Sequence, residues 1–188
     1  MARLIGLLSC ATVASLALAL GMGSAAMAAE GCADATIAPR EANLERARES
    51  TLCLLNVERA KHDLAPLRHN SQLHKAAQAY SAKMVRDRFF AHVCPEGSTL
   101  SSRIRRSTKY LGGSVRDWSL GENLGWGSGS LATPKSIVRA WMRSSTHRDA
   151  ILDDGFRDVG IGVAMGAPVS VPGRAATYTT QFGYRVTG

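Results

Sequence analysis

The spacing of apolar residues changes late in this 188-residue chain, and that change constrains the fold more than any other feature. From Glu41 to His62, and again from Ser71 to Met84, apolar residues recur every three or four positions, which predicts two amphipathic helices. From Asp158 to Met165, and again from Tyr178 to Phe182, they alternate, which predicts two strands. Because helices come first and strands last, we expect an α+β domain with a short antiparallel sheet rather than a parallel doubly wound fold.

Local signals predict further helices between these regions. Thr133-Pro134 combines a capping residue with a proline in the first turn, so a helix should start there, and residues 145–152 restart as a short helix. Ser98 is expected to cap a short basic helix on which Arg103, Arg105 and Arg106 are exposed. Ser71 is expected to cap the second long helix. Residues 107–120 are polar and glycine-rich, and we interpret them as a surface loop.

The N-terminal residues have the pattern of a secretory signal peptide. Residues 1–28 contain a positive Arg3, an apolar run and the small-x-small site Ala26-Met27-Ala28. We therefore expect a signal peptide over 1–28, a lead and helix start over 29–48, a folded domain over 49–188, and secretion without a transmembrane anchor after cleavage. The full chain has a net charge of +8, and removal of residues 1–28 with Arg3 leaves +7. Outside the cell this charge favours anionic wall polymers or membrane surfaces as partners, and no basic stretch has the aromatic interleaving of a nucleic-acid binder.

Three cysteines lie beyond the predicted cleavage site. Export permits one disulfide among Cys32, Cys53 and Cys94 and leaves one thiol. Pairing of Cys32 with Cys53 is favoured, because it would staple the lead to the first helix; the other pairings remain open. No C-x-x-C spacing supports metal binding by these cysteines.

Chemistry-bearing residues occur at three places. Residues 121–127, Gly-Glu-Asn-Leu-Gly-Trp-Gly, predict a packed turn with Glu122 facing a cleft, or a buried structural turn in which Glu122 caps backbone amides. His92 follows an aromatic pair, and His147 lies near a helix start. Ser144 and its neighbours are interpreted as helix caps rather than nucleophiles, since no G-x-S-x-G motif is present.

Six short motifs in order carry a resemblance to a known family. They are Leu55-Asn56-x-x-Arg59 with Pro66-Leu67; Leu73, Ala76-Ala77 and Met84; Phe90-Ala91-His92 with Gly121-Glu122-Asn123-Leu124; Trp141 with Ser144-x-x-His147-Arg148-x-x-Ile151-Leu152; Val159-Gly160-Ile161-Gly162; and Thr180-Gln181-Phe182-Gly183. Together they resemble the CAP superfamily (cysteine-rich secretory proteins, antigen 5 and pathogenesis-related proteins), in its bacterial secreted branch. The resemblance covers about Leu52 to Tyr184.

The resemblance implies an α-β-α three-layer sandwich with a cleft lined by histidine and glutamate. Better-known members have two His and two Glu there, proposed to hold a divalent cation. His92 and Glu122 match one of each; the second acid would fall near Ser144 and the second histidine near Tyr178, and neither matches. His147 stands where bacterial members commonly have a histidine, so the metal set becomes His92, Glu122 and His147. Ser144 and Tyr178, at the positions of the missing acid and histidine, are expected to line the cleft with them.

Two imidazoles and one carboxylate suit a divalent cation such as zinc. A His–Glu hydrogen bond that only ties the layers together is the alternative. The function expected is a secreted binding or interaction module whose cleft holds a cation, with an anionic wall polymer, lipid or protein as partner. The alternatives are a metal-assisted hydrolase of peptide or wall material and a carrier of small lipids.

Overall fold

The computed structural model describes residues 31–188, so the predicted signal peptide lies outside the described residues. Five α-helices and four strands follow one another, with 3-10 turns at Glu41–Asn43 and Gly129–Ala132. Their bounds are α1 Leu44–Ala60, β1 Arg68–His69, α2 Ser71–Asp87, α3 Leu100–Ser107, β2 Val115–Ser128, α4 Pro134–Arg143, α5 Ser145–Leu152, β3 Asp158–Met165 and β4 Ala175–Thr187. None of the helices within residues 31–188 is long and apolar enough to cross a membrane.

One four-stranded sheet with the order β1-β3-β4-β2 forms the middle layer. β4 pairs antiparallel with both β3 and β2, whereas the two-residue β1 pairs parallel with β3. The antiparallel pair predicted at the C-terminus is therefore present. Two predictions about the centre of the chain were wrong: Val115–Leu120 is strand rather than loop, and residues 121–127 continue that strand rather than turn. Pairing with β4 along nearly the whole of β2 stabilises this extended backbone despite its glycines.

Helix α2 covers one face of the sheet at unusually close range. A Cβ on Gly162 would lie 2.3 Å from the carbonyl carbon of Ala77, so only glycine permits this approach. The Gln78 side chain bonds both the N–H and the carbonyl of Val163, and Ser81 bonds the Gly162 carbonyl and the Thr179 hydroxyl. These contacts fix α2 against β3 and β4. The alternation of glycine with Ile161 and Val163 thus gives β3 one face for a helix backbone and one for the core.

Helices α1, α4 and α5 cover the opposite face and enclose the main core. Its buried side chains come from every one of these helices and from β3 and β4, including Leu55, Ile137, Trp141, Ile151, Ile161, Tyr178 and Phe182. Helices on both faces of the sheet give the three-layer α-β-α arrangement that the resemblance implied.

The ends of α1 and α2 are fixed by polar groups. The Asn56 side-chain amide donates to the Leu67 carbonyl and accepts from the Leu67 N–H. The Arg59 guanidinium donates to the carbonyls of four residues, which are Ala65, Ile151, Asp153 and Phe156. Two capping predictions were wrong by one residue: Asn70, not Ser71, caps α2, and Thr99, not Ser98, caps α3. Thr133 caps α4 as predicted.

The N-terminal lead is attached to α1. A disulfide joins Cys32 to Cys53, and Arg46 pairs with Asp34. Cys94 is a buried free thiol.

Candidate functional site

Strand β2 is an edge strand, so its Glu122 region has a partner strand on one side only. Side chains along a strand alternate between faces. Glu122 faces the α2 layer together with Leu124, which packs against Tyr80 and Met84 of α2. Asn123 faces the other layer, where its amide donates to the His147 carbonyl at 2.9 Å. The edge at residues 122–124 is therefore where the two helical layers meet.

The Glu122 carboxylate is buried, with its side chain 3% exposed, and accepts three hydrogen bonds. His92 Nδ1 donates to Oε1 at 3.0 Å. Oε2 accepts from Arg103 Nη2 at 2.6 Å and from Gln181 Nε2 at 3.2 Å. Gln181 is the residue of β4 that lies directly opposite Glu122 in the register. A buried carboxylate with a guanidinium partner and two further donors is a satisfied anion.

Arg103 holds the loop before α3 as well as Glu122. Its Nη1 donates to the carbonyls of His92 at 2.8 Å and Ser98 at 3.0 Å, and its guanidinium carbon lies 3.5 Å from the Tyr80 ring centroid. The sequence prediction of an exposed Arg103 was wrong, because these contacts leave its side chain only 10% exposed. Arg105 and Arg106 on the same helix are exposed as predicted.

The His92 ring is oriented by Glu122. An ionised carboxylate only accepts hydrogen bonds, so the ring nitrogen that meets it, Nδ1, carries a proton. The His92 side chain is 56% exposed. The Tyr80 hydroxyl donates to the Ala91 carbonyl next to it, and burial raises the pKa of Tyr80 above its ordinary value. The loop is thus held by hydrogen bonds from Tyr80 and Arg103, while the His92 side chain stays more than half exposed.

A groove beside this histidine crosses the edge of β2. We call it the β2 groove; its volume is about 290 Å³, and its lining includes Phe90, Leu124, Trp126, Ala140, Ser144 and His147. Phe90 is 44% exposed, so one wall presents a ring to solvent. Burial, and next to it the charge of His92, lower the pKa of His147 below its ordinary value. Both effects favour a neutral imidazole at the rim of the groove.

The structure brings most of the predicted site residues to this region but not all. His92 and Glu122 are hydrogen-bonded to each other, and His147 and Ser144 line the β2 groove. Placing Tyr178 in the cleft was wrong: it is fully buried in the core of the other layer, and its hydroxyl donates to the Ala132 carbonyl at 2.7 Å. Ser144 is the N-cap position of α5, but its hydroxyl makes no capping bond there.

Sequence reasoning missed Arg103 and Gln181 as partners of Glu122. Gln181 lies in one of the family motifs, and its alternation with Phe182 signals a polar side chain on the face opposite the core. For Arg103 the signal was weak, because one arginine in an arginine-rich helix has no pattern that separates it from its solvated neighbours.

The three side chains expected to bind a cation do not fit that role as they are arranged. Both oxygens of Glu122 already accept hydrogen bonds, and one of these comes from a cation. Within residues 31–188, no group of three or more His, Cys, Asp or Glu side chains is placed to hold a metal ion. A zinc ion bonded to Glu122 would also lie close to the Arg103 guanidinium, and the two positive charges would repel each other. The resemblance predicted zinc binding in this cleft, but the charge and the hydrogen-bond partners around Glu122 do not fit it.

An α-β-α sandwich with a histidine–glutamate pair at the edge of its sheet defines the class of this protein. The family model described as "Cysteine-rich secretory protein family" (CAP) matches residues 52–181. The chain belongs to the CAP family.

Two relatives from a bacterium agree with this assignment. The chain is 36% identical over 110 residues to YkwD of Bacillus subtilis (strain 168) and 30% identical over 112 residues to the membrane protein YlbC of the same organism. The matches cover 58% and 60% of this chain but only 39% and 30% of those proteins, so the chain spans well under half the length of these curated relatives.

Solved structures show the same fold. An extracellular Bacillus anthracis protein containing an SCP domain superimposes with a TM-score of 0.58 at 21% identity, covering 77% of this chain and 44% of that one. An outer surface protein of Borrelia burgdorferi gives 0.56 at 22% identity, covering 72% and 90%. At these identities the likeness shows the fold alone.

Proposed function

We propose that this chain is a secreted CAP-domain binding module that holds an anionic polymer of the cell wall, with a small apolar group of the polymer in the β2 groove. The observation that carries the proposal is the groove itself, an open apolar hollow at a sheet edge, bordered by a helix that also carries exposed basic side chains. Export is supported by the signal-like pattern of residues 1–28.

The size and lining of the groove favour a small apolar group. Its volume of about 290 Å³ lies at the lower end of the range for ligand pockets. Phe90, Trp126 and Ala140 supply apolar and aromatic surface, and Ser144 and His147 supply polar groups at one end. A few polar groups on an apolar surface are the usual composition of a binding site.

A row of basic side chains lies on the exposed face of α4, and two of them, Lys135 and Arg139, line a separate hollow against the N-terminal lead. Lys135, Arg139 and Arg143 are four residues apart and exposed, and we call them the basic ridge. Four residues of helix rise about 6 Å, so the three charges form a line along the helix axis. In the described part of the chain, none of the three forms a salt bridge with a carboxylate. Ala140 lies on the same helix as the ridge and lines the groove, so a polymer that crosses α4 contacts both.

Binding is favoured over hydrolysis by the state of the carboxylate. Glu122 is buried and accepts from His92, Arg103 and Gln181, so its lone pairs are directed at protein donors rather than at the groove. A hydrolase also needs a nucleophile or an activated water within reach of a base. Across residues 31–188, no Ser, Thr or Cys side chain is hydrogen-bonded to His92 or His147.

Co-sedimentation with isolated cell walls tests the proposal. Walls with their anionic polymers, and the same walls after acid extraction of those polymers, are mixed with the purified protein at low and high salt. Wild type should sediment with intact walls and lose at least tenfold in affinity after extraction or at high salt. Ala140→Phe should block the groove, and Arg139→Glu should oppose the polymer charge, each weakening binding several-fold.

Matched controls separate the site from general surface effects. Ala60→Phe adds the same ring at the exposed end of α1, and Arg106→Glu makes the same charge reversal on α3. Both should bind walls like wild type. Equal binding by Ala140→Phe, Arg139→Glu and wild type would refute the proposal. Release of soluble wall fragments by wild type but not by Glu122→Ala would instead support the metal-assisted hydrolase, and lipid found in an organic extract of the protein would support the carrier.

A further inference from the structure

We propose that the Arg103 guanidinium is a built-in replacement for the divalent cation in this cleft, and that its removal turns His92 and Glu122 into metal ligands. The proposal concerns the positive charge at Glu122 and is independent of what the β2 groove binds.

Arg103 makes the contacts that a cation at this position would make. It bonds a carboxylate oxygen at 2.6 Å and two backbone carbonyl oxygens at 2.8 and 3.0 Å, all from one guanidinium. Carboxylate and carbonyl oxygens are also typical ligands of divalent cations. The side chain comes from α3, whereas its three acceptors come from β2 and from the loop between α2 and α3. Arg103 therefore joins separate segments around one positive charge, as a structural metal ion does.

The charge balance leaves no need for a metal. Glu122 is the buried anion, Arg103 is its buried cation, and their side chains are 3% and 10% exposed. A dication added here would place three positive charges against one carboxylate in a site of low solvent access, where like charges repel strongly. The intact protein should therefore exclude zinc from Glu122.

Without Arg103, two ligand atoms are already at a suitable spacing. His92 Nδ1 and Glu122 Oε1 are 3.0 Å apart. Two ligands at tetrahedral zinc, each about 2.0–2.1 Å from the metal, are about 3.3 Å apart. Bringing the two atoms to that separation needs an increase of only about 0.3 Å, together with a rotation of the imidazole so that its Nδ1 lone pair faces the metal. The Arg103 charge therefore opposes a metal at a pair of atoms whose separation is close to that of two zinc ligands.

Zinc calorimetry on the purified chain and its variants tests this inference. All proteins carry His69→Gln, because His69 and His74 form a surface pair with ring centroids 5.7 Å apart that could bind zinc separately. Arg103→Ala should bind zinc at least tenfold more tightly than the parent, and its melting temperature should rise with zinc. Both effects should disappear when His92→Ala or Glu122→Gln is added.

Two controls identify the role of the Arg103 charge. Arg103→Lys keeps a cation at the position and should still exclude zinc. Arg105→Ala removes one positive charge from the same helix, where the side chain lies over Trp118, and should behave like the parent. Zinc binding by Arg105→Ala to the same extent as by Arg103→Ala would overturn the inference, because general charge would then explain it.

The parent protein supplies a second test that needs no destabilising change. Any zinc binding that the parent protein shows should be unchanged when His92→Ala is added. Micromolar binding lost in His92→Ala would overturn the proposal, even if Arg103→Ala did not fold. A folded Arg103→Ala that binds zinc no better than the parent would overturn it equally.

Discussion

Arg59 should be among the most destabilising positions to change in the described chain. Its side chain is fully buried, and its guanidinium donates to the carbonyls of Ala65, Ile151 and Asp153 at 2.7–2.8 Å and to that of Phe156 at 3.4 Å. Arg59→Met keeps most of the side-chain volume and removes every donor. The bonds to Ile151 and Phe156 are buried, so water cannot easily replace them.

The magnitude follows from those two carbonyls. A buried acceptor left without a donor costs about 1–3 kcal/mol, which gives roughly 2–6 kcal/mol for the pair. Burial, and next to it the charge of Arg157, lower the pKa of Arg59, which shows that the folded protein bears a cost for this cation that methionine would relieve. We therefore expect a net loss of about 3 kcal/mol in the free energy of unfolding, out of a typical 5–15 kcal/mol.

Guanidinium chloride unfolding, followed by circular dichroism, measures this loss. Arg106→Met is the matched control, because Arg106 is exposed on α3 and should change stability by less than about 0.5 kcal/mol. A loss below about 1 kcal/mol for Arg59→Met would show that its hydrogen bonds only offset the cost of burying the cation, and the reasoning would be refuted.

Three further predictions concern packing, the disulfide and pH. Gly162→Ala should cost about 3 kcal/mol or prevent folding, because its Cβ would meet the Ala77 backbone, whereas the exposed Gly112→Ala should change the melting temperature little. Reduction of the disulfide, whose cysteines are 21 residues apart, should lower the free energy of unfolding by about 3 kcal/mol and the melting temperature by about 10 °C. The melting temperature of a Cys32→Ser/Cys53→Ser variant should not change with reductant, which attributes the effect to this disulfide. The pKa of His147 is lower in the folded protein than in the unfolded chain, whose histidines titrate near pH 6.5. The unfolded chain therefore takes up this proton first as the pH falls, so the contribution of His147 to stability is fully present above about pH 6.5 and is lost below it. His147→Gln should therefore show a smaller fall in melting temperature between pH 7.5 and 5.5 than wild type, and an unchanged fall would contradict this cause.

The fold was largely predictable because its elements follow simple spacing rules. The helical stripes of α1 and α2 each reflect one buried face. The alternation in β3 and β4 reflects two different buried faces, with large apolar side chains toward the main core and mainly glycine or polar side chains toward α2. Strand β2 lacked such a signal. Its first half is exposed, and its second half alternates glycine with large side chains, because those glycines face close neighbours: a Cβ on Gly125 would lie 3.1 Å from Trp141 Nε1. Glycine that makes room for a helix has the same sequence signature as glycine that permits a turn.

The candidate site was predictable only where its chemistry comes from rare residue types. His92 and Glu122 were singled out by histidine and by a carboxylate between glycines, and the structure joins them. What the sequence could not show is how the carboxylate is neutralised. Arg103 differs from Arg105 and Arg106 only in its helical position, one residue before the buried Ile104, and Arg106, two residues after Ile104, is exposed. Whether a buried carboxylate meets a metal ion or an arginine depends on a third segment folding over it, and this long-range event has no local pattern. A ligand set read from sequence is therefore complete only when the residue that balances its charge has been located.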